Sequence, residues 1–174
     1  IKDFIIYTGL SRINSTTEAD NLDHFLREDQ KMVATRPMAV LNPLKVVIDN
    51  YEEGKVEWLD ALNNMENPEL GSHKIPFSKY LYIEKEDFVE VKPNKKWKRL
   101  ALDVEVRLMN SYFIKATSVV KDENGEIVEV HATYDEATRS GNNFNERKPN
   151  GTIHFVEATT ALEASFNLFE PLIF

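Results

Sequence analysis

Tyr112-Phe-Ile-Lys-Ala-Thr-Ser-Val-Val120, followed by Asp122-Glu-Asn-Gly125 and Ile127-Val-Glu-Val-His-Ala-Thr-Tyr134, is the stretch on which the fold turns. Two runs rich in β-branched and aromatic residues flank an Asn-Gly turn. The glycine supplies the backbone conformation that a tight turn needs, so the stretch predicts an antiparallel hairpin. Upstream, Val104, Val106 and Leu108 alternate with Glu105, Arg107 and Met109, the pattern of a strand with one buried and one polar face. Further strands are predicted over 38–41 and 44–48, interrupted by Asn42-Pro43, and over 56–61 and 80–84, with a loop through Pro68, Gly71 and Pro76. Downstream, 135–150 reads as an exposed, mobile polar loop, and 151–156 and 164–169 as the last strands. Many short strands joined by Pro and Gly turns point to a β-barrel or sandwich.

Before Pro37 the period is helical. Phe4, Ile5 and Tyr7 ahead of Gly9 suit the end of a short helix closed by glycine. Ser15 or Thr16, with Glu18 behind, predicts the N-cap of a second helix running to about Val33, with Leu22, Phe25, Leu26 and Met32 on one face and Asp20, Asp23, Arg27, Glu28 and Lys31 on the other. The expected fold class is therefore mainly β with a short N-terminal helical segment, divided into a helical part over 1–35 and a β-barrel region over 36–174.

Composition excludes several chemistries. The chain of 174 residues has no cysteine, so disulfides and thiolate metal sites are out, and no apolar run has the roughly 20 residues that span a bilayer. His24, His73, His131 and His154 show no ligand spacing, and there is no Gly-rich phosphate loop and no nucleophile elbow. Neither a catalytic residue nor a metal site is expected in this chain. It begins at Ile1 and ends in the apolar Leu172-Ile-Phe174, and both ends read as cut from a longer protein.

The net charge is -8, yet Lys92-Pro-Asn-Lys-Lys-Trp-Lys-Arg99 places five basic residues and a tryptophan in eight positions. A local basic patch on an acidic protein suits a polyanion, and Trp97 offers a flat face to an unpaired base. Arg36, Arg99 and Arg107 are the candidates for two-point contact with a base edge or a phosphate. The plainer alternative for each is a salt bridge with one of the 29 acidic residues.

Ala34-Thr-Arg-Pro-Met-Ala-Val-Leu-Asn-Pro-Leu-Lys-Val-Val-Ile-Asp-Asn-Tyr51, with Leu26-Arg-Glu-Asp29 before it, resembles the junction between the helical stem-contact module and the anticodon-binding barrels of the glutaminyl-tRNA synthetase family. The likeness continues through Glu66-Asn-Pro-Glu-Leu-Gly-Ser72, Tyr82-Ile-Glu-Lys-Glu-Asp-Phe88, Glu105-Val-Arg-Leu-Met-Asn-Ser-Tyr-Phe-Ile-Lys115 and Gly151-Thr-Ile-His-Phe-Val156, in the family's order. The resemblance implies a ribosomal-protein-like anticodon-binding β-barrel, incomplete at its C-terminal side, with an edge open to another copy. It also implies a cytoplasmic class I ligase that joins glutamine to its tRNA with ATP and Mg. The catalytic domain that uses them would lie before Ile1, so no cofactor is expected in this chain. The implied partners are the tRNA for glutamine and the parent's catalytic domain, with no membrane and no DNA.

Residue by residue, the resemblance matches Arg36 to the reader of the central anticodon base, Arg99 with Lys98 to the reader of the third base, and Arg107 to the first of two arginines serving the wobble base. Met109 stands where the second would be and offers no donor. Lys96 occupies a position that is glutamine in some members, and Asn150 replaces a usual lysine. The lost cations predict weak binding by this piece alone. Two alternatives stay open: a glutamyl-tRNA synthetase of archaeal or eukaryotic type, and a divergent protein-interaction barrel.

Overall fold

The computed structural model describes residues 1–9, 12–14 and 16–168. They group into two compact units, residues 1–37 with 61–73, and residues 38–60 with 74 onward.

In the first unit, α1 (Lys2–Thr8) ends as Gly9, at a φ of 72°, donates its N–H to the Ile5 carbonyl. Helix α2 (Ala19–Lys31) begins later than its cap signal suggests. Glu18 occupies the N-cap without a side-chain capping bond, Thr16 lies outside the helix, and Ser15 lies outside the described residues. Phe25 joins the helices, its ring 6.0 Å from Phe4 and 5.5 Å from Tyr7, but neither helix buries a residue completely. The carbonyls at the end of α2 find partners in the returning segment. Buried Asn64 donates to the carbonyls of Lys31 and Ala34, and Asn67 to that of Met32.

The strands are β1 (Pro43–Ile48), β2 (Glu57–Leu62), β3 (Ser72–Phe77), β4 (Tyr80–Glu84), β5 (Phe88–Val89), β6 (Leu100–Ala101), β7 (Glu105–Leu108), β8 (Phe113–Lys121), β9 (Ile127–Asp135), β10 (Thr152–Ile153) and β11 (Val156–Glu157). The predicted hairpin is β8–β9, and the Asp122 carboxylate closes its turn by accepting the N–H groups of Asn124 and Glu126. Three readings are corrected. Residues 38–41 form no strand: the chain enters β1 at Pro43 while the Glu84 carboxylate accepts the N–H groups of Leu41 and Asn42. The loop read through Pro76 contains β3, where a proline is tolerated because its ribbon with β2 has only two strands and so a free side. Residues 164–168 carry no strand, and Phe169 lies outside the described residues.

The main sheet of the second unit runs β10-β7-β8-β9-β1-β4-β11. Its edge strands are consecutive pieces of one stretch: Thr152–Ile153 pairs parallel with β7, and two residues later Val156–Glu157 pairs antiparallel with β4. The sheet thus curls until a single segment spans both edges, and the reading of an edge open to another copy is corrected. Inside lie Val46, Ile48, Phe77, Leu81, Ile83, Leu100, Val106, Leu108, Ile114, Val130 and Phe155, all essentially inaccessible to water. The alternation read over 104–109 holds, with Val106 and Leu108 buried and Glu105 and Arg107 half-exposed.

Candidate nucleic-acid interface

The basic run forms the connection between β5 and β6, which pair parallel through Phe88 with Leu100 and Val89 with Ala101. Asn94 starts its turn by accepting the N–H groups of Lys96 and Trp97. Lys95, Lys96 and Lys98 are exposed and form no ion pair among the described residues, and Trp97 is half-buried. Of the flat face expected for stacking, one side is taken by Arg99, whose guanidinium carbon sits 5.6 Å from the Trp97 ring centre.

Two residues tie this loop to the strand that carries Arg107. The Asn150 side chain donates to the carbonyls of Trp97 at 3.0 Å and Arg99 at 2.9 Å and accepts from the Lys92 ammonium at 2.6 Å, while its backbone N–H donates to the Glu105 carbonyl. Next to it, the Gly151 carbonyl accepts the Arg107 N–H at 2.9 Å. Gly151 also passes so close to Lys98 that a Cβ would stand 1.7 Å from the Lys98 carbonyl oxygen. On sequence Asn150 reads as a lost cation. In the structure it fastens the basic loop to β7.

The three arginines differ in their company. Arg36, in the first unit, has both terminal nitrogens 3.4 Å from the Glu66 carboxylate and donates to the Lys31 carbonyl at 2.9 Å. Arg99 pairs through Nε with Asp87 at 3.1 Å and donates from Nη1 to the Glu86 carbonyl. For these two, the plain reading of a salt bridge applies. It does not apply to Arg107. Its Nη1 donates to the carbonyls of Ser111 and Thr138 and to the Ser140 hydroxyl, at 3.0 to 3.2 Å, and its guanidinium lies 4.3 Å from the Phe113 ring centre. Burial lowers its pKa from the ordinary arginine value, with no carboxylate among the described residues beside it to oppose the shift. A cation held by neutral acceptors over an aromatic ring is oriented yet uncompensated, which suits an anionic or strongly accepting ligand.

The polar loop read as mobile is pinned at several points. Arg147 bridges Glu105 at 2.7 Å and Asp135 at 2.6 Å, Phe144 meets Phe113 edge-on at 5.7 Å, and Ser140 donates to the Ser111 carbonyl. This places Ser140 and the Thr138 carbonyl against Arg107. Met109 is half-buried, with its backbone N–H on the Ile153 carbonyl. The holding roles of Asp87, Thr138, Ser140 and Asn150 were invisible on sequence because they act across 12 to 51 residues of chain, where no spacing rule connects them to the arginines they hold. Among the described residues no three His, Asp or Glu side chains converge as a metal site, and no helix is long and apolar enough to cross a membrane.

A small curled β-sheet whose polar face carries arginines and a basic loop has the make-up of a nucleic-acid-binding barrel. Residues 34–135 match the family model described as tRNA synthetases class I (E and Q), anti-codon binding domain, and the chain belongs to that family. Among its relatives, a "Glutamine--tRNA ligase" of Clostridium perfringens is 48% identical over 99% of this chain, one of Clostridioides difficile 47% over 99%, and one of Bradyrhizobium diazoefficiens 43% over 99%. The chain spans 31% of the length of each of these three.

Proposed function

We propose that this chain reads the anticodon of a glutamine tRNA as part of an ATP- and magnesium-dependent ligase that joins glutamine to that tRNA. Residues 1–35 would then end a stem-contact module and 36–174 form the anticodon-reading region, with ATP, magnesium and glutamine handled by a catalytic domain elsewhere in the parent. The same reading implies a cytoplasmic location and neither membrane nor DNA as partner. Family membership supports the anticodon, and the shared name of the relatives supports glutamine over glutamate. The observation that carries the reading at the level of chemistry is the uncompensated guanidinium of Arg107, fastened through Asn150 and Gly151 to the basic loop.

In this reading Arg107 and Arg99 address unstacked bases, Arg36 a third, and Lys96 and Lys98 the backbone phosphates beside them. Arg107→Ala is expected to weaken binding of a glutamine-tRNA anticodon stem-loop by about 1–3 kcal/mol, measured by fluorescence anisotropy at fixed salt. Lys98→Ala should instead lower affinity for all RNA sequences alike and reduce the salt slope by about one. An unchanged affinity in Arg107→Ala, or equal binding of an unrelated hairpin by the unaltered chain, would overturn the proposal.

A further inference from the structure

Arg99 leaves the barrel surface with part of its donor set already engaged. Nε faces Oδ1 of Asp87 at 3.1 Å and Nη1 donates to the Glu86 carbonyl at 3.0 Å, while the guanidinium carbon sits over the Trp97 ring, 5.6 Å from its centre. No described residue accepts from Nη2. The backbone is fixed as firmly, because Asn150 holds the carbonyl of Arg99 itself and Gly151 presses on that of Lys98. The two partners are unequal: the Asp87 side chain is 10% exposed and that of Arg99 49%. Asp87 therefore belongs to the barrel, and Arg99 is the group it presents.

We propose that Asp87 is a positioning and specificity-determining residue, which turns Arg99 into a reader of acceptor geometry rather than a source of general attraction for RNA. The inference rests on the reading of the preceding section, in which Arg99 meets the third anticodon base. Two physical consequences of the contact lead to it. The carboxylate and the Glu86 carbonyl fix the guanidinium, so that the N–H groups of Nη2 point in set directions and little side-chain freedom is left to lose on binding. The carboxylate also offsets the charge, so Arg99 adds little to the long-range field that draws in any phosphate backbone. Arg107, which has no such partner among the described residues, keeps its full charge and so adds attraction to its base contact, whereas Arg99 with Asp87 contributes selection alone. The group that Nη2 meets is an in-plane oxygen or nitrogen acceptor, found on a base edge or on a phosphate.

The test compares the unaltered chain with Asp87→Asn, using a stem-loop RNA with the glutamine anticodon and the same RNA with its third anticodon base changed. Asparagine keeps an acceptor but removes the negative charge. The ratio of the two affinities is expected to fall by about tenfold, as for loss of one base-edge contact. The base-changed RNA should meanwhile bind at least as tightly as it does to the unaltered chain. A purely supporting role for Asp87 predicts something different, an equal loss on both RNAs, and that result or an unchanged ratio overturns the proposal. If Arg99→Ala abolishes the ratio while Asp87→Asn preserves it, Asp87 is excluded and the RNA reading stands. If Arg99→Ala changes nothing, the RNA reading of this residue falls and takes the proposal with it.

A methylphosphonate at the third anticodon nucleotide separates the sources of the acceptor: a loss of affinity removed by Arg99→Ala assigns a phosphate, and no such loss assigns the base edge. Should Asp87→Asn not fold, the pH profile of the unaltered chain decides. Burial raises the Asp87 carboxyl above its ordinary value against the pull of Arg99 and His154, with Glu84 and Glu86 adding to the rise. Acidification should then erode the affinity ratio while the melting transition persists. A ratio that stays unchanged on acidification while the protein remains folded overturns the proposal.

Discussion

At Gly151 the chain runs so close to the Lys98 carbonyl that a single methyl group cannot be placed, since its carbon would meet the oxygen at 1.7 Å. Gly151→Ala must therefore push the basic loop away from the 150–153 segment, with loss of the Asn150 bonds to Trp97 and Arg99. We expect a destabilisation of about 1–3 kcal/mol by urea denaturation, typical of overpacking, together with weaker RNA binding. At this scale the sequence shows which residues carry charge but not whether the charge is free. Arg36, Arg99 and Arg107 are equivalent as letters. Of the three, only Arg107 lacks a carboxylate partner among the described residues, because Ser111 just before β8 and Thr138 and Ser140 in the following turn bring oxygen atoms without charge.

Between elements, His131 shows how charge joins two strands. In the parallel pairing of β1 with β9, Lys45 lies opposite Glu129 and Val47 opposite His131. The imidazole meets Asp49 through Nδ1 at 2.7 Å and Glu129 through Nε2 at 3.1 Å, and Glu129 also pairs with Lys45 at 2.7 Å. The hydrogen bond to Asp49 is the largest influence and holds the His131 pKa above its ordinary 6.5. A raised folded pKa means that the charged form stabilises the fold. That contribution is complete below the unfolded value of about 6.5 and is lost as pH rises through the folded one. The melting temperature of the chain should accordingly drop as pH rises above about 6.5, and His131→Gln should flatten that part of the profile. The sequence announces β8 and β9 because β-branched alternation and an Asn-Gly turn are local signals. It hides β3, because Gly71 and Pro76 are read as breakers until the ribbon's missing third strand makes the proline harmless.

For the barrel unit as a whole, the packing centre is aromatic. The Phe77 ring is fully buried, with Tyr51 at 5.1 Å, Tyr112 at 5.0 Å, and Tyr134 and Phe155 at 6.0 Å, which brings β3, β8's approach, β9 and the closing segment into one cluster. Phe77→Ala is expected to cost about 3–5 kcal/mol, measured by chemical denaturation, because a cavity this central cannot collapse without moving four other rings. Composition and periodicity by themselves determined that the chain is a short helical stretch followed by a β-rich region. Its ordered motifs gave the likeness to an anticodon-binding barrel, and its residue types gave the basic loop and the arginines. Each of these is written in residues near one another along the chain. The tertiary structure alone decided that residues 152–157 span both edges of the sheet, that Asn150 and Gly151 bind the basic loop to β7, and which of Arg36, Arg99 and Arg107 has no counter-charge among the described residues. Those outcomes depend on contacts between residues tens of positions apart, and such contacts come into being only when the sheet curls.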